Sequence, residues 1–147
     1  SSAASDVYKR QVVMMLNGAL GGLVAITAEP LMPTPLMAII IGGIGGALVF
    51  AGTELLTAMK IDDVVGAIPV HLIAGVWGTL AVPITNPDTS FGTQFLGTAS
   101  ICVFVFVVSI IIWSIMKATI GIRISEEAEK EGTDVAETGV IAYSIRD

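Results

Sequence analysis

The chain holds one histidine, His71, and the residues around it decide what chemistry it can do. His71 lies in DDVVGAIPVHLIAGVWGTLAV (62–82), an apolar run that opens on two carboxylates, Asp62 and Asp63. Read as a helix at about 1.5 Å per residue, the run puts His71 roughly 13 Å in from Asp62. That is near the middle of a hydrocarbon layer about 30 Å thick. An ionisable group at that depth is costly, and it faces protein or a water-filled path rather than lipid. Its neighbours at i−4 and i+4 are Ala67 and Gly75, with Ala74 and Gly78 near the same stripe. Small side chains therefore leave room beside the imidazole.

Three kinds of chemistry are open to such a residue. The imidazole can be structural, bonded to a neighbouring helix. It can ligate a metal, but this helix offers no second His, no Cys and no carboxylate at ligand spacing. It can also line a conduction path. A neutral imidazole has one donor and one acceptor, so it can pass a small hydrogen-bonding solute or a proton without holding a fixed charge. Enzyme chemistry finds no support. The glycines of GGIGGALVF lack the Lys of a phosphate loop, and no G-x-S-x-G or second base accompanies His71. No metal and no cofactor is expected.

The elements that must position His71 are membrane helices. Mean hydropathy is +0.85, and only 14% of residues are charged, against about 25% in soluble domains. The charges cluster and leave long tracts almost free of them. The alternation of outer-membrane strands is absent, so the fold class is an all-α polytopic bundle of about four spans, near 11–28, 36–59, 63–82 and 93–120. The net charge of −6 argues against nucleic acid as a partner. Cys102, alone in an apolar run, excludes an internal disulfide.

Taken in order, residues 1–10 differ in composition from the rest of the chain. They read as a native loop, an expression remnant or an assembly junction, set apart from the fold. With no initiator Met and no signal peptide, the chain reads as a piece of a longer protein. In the first span, Gly18 and Gly22 form a small-xxx-small pattern for close helix approach, and Asn17 is expected to bond across a helix interface. Three prolines between 30 and 35 end that helix. In the second span, Ala38, Gly42 and Gly46 repeat the close-packing pattern. Asp62 or Asp63 should cap the third helix. Pro69 should bend it and free the Val65 carbonyl for a neighbour. The last span, rich in Ile, Val and Phe, reads as largely lipid-facing, with Trp113 in the interfacial belt. From Gly121 the composition turns acidic, and Ser125 should start a short helix broken at Gly132.

Charge gives the topology. With four spans, Lys9, Arg10, Lys60, Lys117, Arg123, Lys130 and Arg146 fall on one side of the membrane, and the other two connections carry no Lys or Arg. The positive-inside rule places both termini and the Lys60 turn in the cytoplasm, in a cell (inner or plasma) membrane.

The pairing of DDVVGAIPVHLIAGVWGTLAV with GIRISEEAEKEGTDVAETGVIAY closely resembles the C-terminal part of the ammonium transporter family (Amt/MEP, relatives of Rh proteins), and NGALGGLVAITAEP resembles the helix before them. The likeness covers about residues 12–143. It implies the last four helices of an eleven-helix fold and passage of ammonia, from recruited ammonium, along a hydrophobic pore. His71 would match the second of two facing pore histidines, Thr27 a threonine on the same pathway, and Asp63 a supporting aspartate at the start of the His helix. Trp77 is expected to pack. The family is typically a homotrimer, and its tail, where Gly132, Asp134 and Gly139 match, relays state between subunits and in many bacteria takes part in docking a PII-type signalling protein. The chain departs from the usual pattern at Pro69 and Leu72, where most members carry glycines. It also departs at Gly66, acidic in some, and at Val140–Ile141, polar in many. The first pore histidine, the aromatic recruitment site and the phenylalanine gate belong to earlier helices.

An ammonium sensor of the same fold, and a helical scaffold with a structural His71, are the rival readings. The 147 residues alone are expected not to transport. Reconstituted in liposomes they should take up no methylammonium above the protein-free rate, and measurable uptake would overturn that expectation.

Overall fold

The structure, a computed structural model, describes residues 2–140, with the backbone alone over 2–10. Of the expected tail, residues 141–147 lie outside the described residues, Arg146 among them, as do the side chains of Lys9 and Arg10. The fold is all helical. Helix α1 is Ser2–Ile26, α2 is Pro35–Ala58, α3 is Ile68–Thr85, α4 is Phe91–Thr119 and α5 is Glu126–Glu131. Three of these, α2, α3 and α4, are long and apolar enough to cross a membrane, and the apolar part of α1, Gln11–Ile26, is shorter. Helix α1 begins inside the segment expected to stand apart, because SAASDVYKRQ contains no Gly or Pro to stop it.

The chain divides into two compact units, one ending at Cys102 and one beginning at Val103. The first is built on backbone approach between helices. Helices α1 and α2 run antiparallel, and their glycine rows face each other. A Cβ built on Gly22 would lie 3.1 Å from the Gly42 carbonyl oxygen, and one on Gly46 would lie 3.0 Å from that of Gly18. The two small-residue patterns are thus the two halves of one interface. Lipid is as apolar as the side chains, so close packing supplies the attraction here. Helix α3 lies parallel to α1 and is equally close. A Cβ on Gly78 would overlap the Ala25 carbonyl, and one on Gly52 of α2 would lie 3.2 Å from Pro69 Cβ. Small side chains fill what remains: Val49, Val70 and Ala74 in one cluster, Ala25, Ile41 and Ala81 in another. Trp77 packs against the second cluster and donates its indole N–H to the Ile41 carbonyl at 3.0 Å.

The connections follow from local chemistry. Thr34 caps α2 by accepting from the Met37 amide at 3.3 Å, with Pro35 in its first turn. At the far end Lys60 adopts φ +57, and the Lys60 and Ile61 amides reach back to the Thr57 and Leu56 carbonyls. That is the reversed bonding of a left-handed helix stop, made here by a lysine in place of the usual glycine. At the opposite end of the bundle Asn86 donates to the Glu29 carboxylate at 2.8 Å, tying the two loops together.

The start of α3 differs from expectation. The helix does not run from Asp62. It begins at Ile68, because Gly66 at φ +76 turns the chain there. Pro69 therefore lies in the first turn, where a missing N–H costs little, and the reversal at Gly66 takes the place of the expected proline bend. His71 is about 4.5 Å along its helix rather than 13 Å. Pro69 nevertheless lies against Gly52, about 9 Å from the end of α2, so the start of α3 lies alongside the body of α2.

In the second unit the end of α4 is wrapped by Ile120 and Gly121, whose amides both reach the Met116 carbonyl, with Gly121 at φ +77. Ser125 caps α5 by accepting from the Ala128 amide, and Arg123 pairs with Glu129 at 2.8 Å. No residue of α4 is buried.

Gly78 and Gly43 make a contrast. A Cβ at Gly43 meets nothing within 4 Å, whereas one at Gly78 meets backbone. Gly78→Ala should cost about 1–3 kcal/mol through forced separation of α1 and α3. Gly43→Ala should be neutral or stabilising by about 0.5–1 kcal/mol. Thermal unfolding of the detergent-solubilised chain checks both, and equal melting of the two variants would contradict the packing described.

Candidate functional site

His71 lies on the opening segment of α3, Ile68–Ile73, which is wound with i→i+5 hydrogen bonds, closed by Ala74 N–H to Pro69 O. Such a turn holds one more residue than an α-turn, and an inserted residue rotates the face it presents by about 100°. Every early amide of this segment is accounted for. The Asp63 carboxylate accepts from Ala67 at 2.9 Å and from Ile68 at 2.8 Å, one oxygen each. Pro69 has no N–H, and Val70 donates to the Gly66 carbonyl at 3.1 Å. A carboxylate at a helix N-terminus is further favoured by the dipole. Asp62, the other capping candidate, is exposed.

The Val65 carbonyl, expected to be freed by Pro69, lies three residues before the helix starts, on the far side of the Gly66 turn. Asn17 of α1 donates its side-chain amide to that oxygen at 3.1 Å. Both expectations for this region, a free Val65 carbonyl and an Asn17 bond between helices, meet in one contact.

His71 itself is exposed and makes no hydrogen bond among the described residues. It lines an open cleft of about 300 Å³ in the first unit, together with Gly75 and Thr79 below it on α3 and Gln94, Gly97 and Thr98 on the first turns of α4. Gly75 is where the helical spacing puts it. Ala74 and Gly78 are not beside the imidazole but buried on the opposite face, against the other helices. The rotation introduced at the π-segment separates those faces. The Thr98 hydroxyl is fully buried and has no partner among the described residues. Its involvement was hidden in a span read as lipid-facing. The signal was Gln94 and Thr98, polar and four residues apart.

The remaining expected residues lie elsewhere. Thr27 follows the end of α1, with its hydroxyl donating to the Val24 carbonyl at 2.7 Å, and it is not among the residues lining the cleft of His71. Trp77 is a packing residue. In the second unit, Gly132 at φ +106 ends α5, a Cβ there would lie 2.7 Å from the Asp134 carboxylate, and Gly139 at φ +68 closes the π-turn Asp134–Thr138. Among the described residues no three His, Cys, Asp or Glu side chains converge as a metal site would require.

Comparison with known proteins gives a consistent set of relatives. Residues 2–143 match the model of the Ammonium Transporter Family. The ammonium transporter Amt2 of Archaeoglobus fulgidus is 35% identical, over 92% of this chain and 33% of its own length. The ammonium transporter of Bacillus subtilis is 37% identical, over 87% of this chain and 36% of its own. Amt1 of Haloferax mediterranei is 34% identical, over 92% and 27%. The chain therefore spans about a third of the length of the curated relatives it matches.

The cap on the His helix generates a local expectation. Asp63→Ala should cost about 1–2 kcal/mol and release the Ala67 and Ile68 amides. Their hydrogen-exchange protection should fall about tenfold. Asp62→Ala should leave both amides as they are. Equal effects of the two substitutions would remove Asp63 from the capping role.

Proposed function

The chain belongs to the ammonium transporter family, and from that premise we propose that it forms part of a transmembrane path for ammonium or ammonia, with His71 on the wall. The observation that carries this reading is the placement of the imidazole. It is exposed on a π-helical turn beside a cleft whose polar lining is threonine and glutamine, uncharged throughout. A neutral imidazole accepts a hydrogen bond from an N–H at one nitrogen and donates one to a lone pair at the other. It can hand a small amine onward without trapping it. Leu72, Val76 and Ile101 line the same cleft. Their apolar surface disfavours a bare cation and supports ammonia as the species at this level, with the proton taken along its own route.

The other assignments follow the same reading. Thr27, about 10–14 Å further along the bundle axis, belongs to the same pathway toward its other end. Asp63 supports the pore helix by satisfying its first amides. Gly132, Asp134 and Gly139 shape a regulatory tail, which lies in the cytoplasm with both termini and the Lys60 turn, where a PII-type protein docks. The assembly is a homotrimer in which missing helices complete the pore.

His71→Ala in the whole protein carrying this chain, reconstituted in liposomes, should lower methylammonium uptake about a hundredfold or more, the usual worth of a group that handles a proton. Unchanged uptake would reduce His71 to a structural residue. Ammonium binding by the unaltered protein without any uptake would favour a sensor of the same fold.

A further inference from the structure

Asn17 has no role in the transport reading, yet it touches Val65 and Gly66, the residues that lead into the irregular turn from which His71 projects. We propose that Asn17 is a positioning residue for His71, fixing the height and rotation of the imidazole through its hydrogen bond to the Val65 carbonyl. The inference rests on the reading of His71 as a path-lining group.

Three observations carry it. The bond joins α1 to the backbone two to three residues before the helix starts, at 3.1 Å. The next residue, Gly66, is at φ +76 and buried, and a Cβ there would overlap the Asn17 amide nitrogen. Glycine is thus required twice at this position, for the backbone turn and for the approach of Asn17. Finally, the α1–α3 contacts further along the helices are apolar, Ala25 on Gly78, Val24 beside Gly75, and Ile26 with Trp77 on the Ala25–Ala81 cluster. Such surfaces set how close the helices come but little of how far one slides along the other. The amide bond is directional and supplies the register. With Asp63 holding the next two amides, a shift at Val65 passes directly into the π-turn that carries His71.

An ordinary interhelical bond would contribute stability and nothing more. Trp77 makes one, to the Ile41 carbonyl, further along the same helix, and serves as the comparison. In the whole protein, Asn17→Asp keeps the side-chain shape and loses the N–H donor, while Trp77→Phe loses a donor of the same kind. The readouts are the rate of His71 carbethoxylation, followed by mass spectrometry of its peptide, and the KM and maximal rate of methylammonium uptake. The expectation for Asn17→Asp is a modification rate changed by about threefold or more, with maximal uptake lowered about tenfold at nearly constant KM. Trp77→Phe should lower the melting temperature and move neither readout. If Asn17→Asp does not assemble, Asn17→Ala carries the same test. A modification rate equal to that of the unaltered protein, in a folded Asn17 variant, overturns the inference. So does an equal change in Trp77→Phe. The chemical readout does not depend on transport. If His71→Ala leaves uptake intact, the path reading falls, and the modification rate still decides the role of Asn17.

Discussion

A backbone that leaves regular helix where it packs against other helices must find partners for its polar groups, and that requirement governs the start of the third helix. Unsatisfied amides and carbonyls cost several kcal/mol each in hydrocarbon. Here two side chains meet the requirement. The Asp63 carboxylate covers two amides, and the Asn17 amide covers the Val65 carbonyl. Pro69, in the first turn, removes a third donor. Because these groups are satisfied, the chain can enter the bundle as a turn, start its helix late and wind its first residues loosely. The exposure of His71 on one face, with Ala74 buried on another, is a consequence of that loose winding.

Packing supplies the second constraint. Among the described residues the buried set contains nothing larger than isoleucine, and α1 meets α2 at glycine over glycine. This suits a solvent that offers no hydrophobic reward for association. It also means that specificity comes from shape and from a few directional bonds: Asn17 to Val65, Trp77 to Ile41, Asn86 to Glu29. One such bond stands at each level of the bundle.

Much of this was legible in the residues. Long apolar runs marked the helices, because burial in lipid demands little else. The matching four-residue glycine rows of the first two spans read as packing faces, although nothing in the sequence said that they face each other. Pro69 foretold an orphaned carbonyl and Asn17 foretold an interhelical bond. That these were one contact required coordinates. What escaped was conformational. Gly66 looks like any other glycine until its φ is known, and it moved the helix start from Asp62 to Ile68. A periodicity of 3.6 then assigned Ala74 and Gly78 to the wrong side of His71, since an i→i+5 turn breaks that count. Thr98 was lost in a span whose aliphatic residues dominate any average.

The glycine ladder between the first two helices bears on how the protein is made. Its partners are close in sequence, joined by a proline-rich connection of only eight residues between Ile26 and Pro35, so ring closure costs little. Both halves emerge from the ribosome before the histidine does. The hairpin thus needs nothing from the third helix to close its own glycine contacts, and it already carries Asn17, Val24 and Ala25, the residues that the third helix meets.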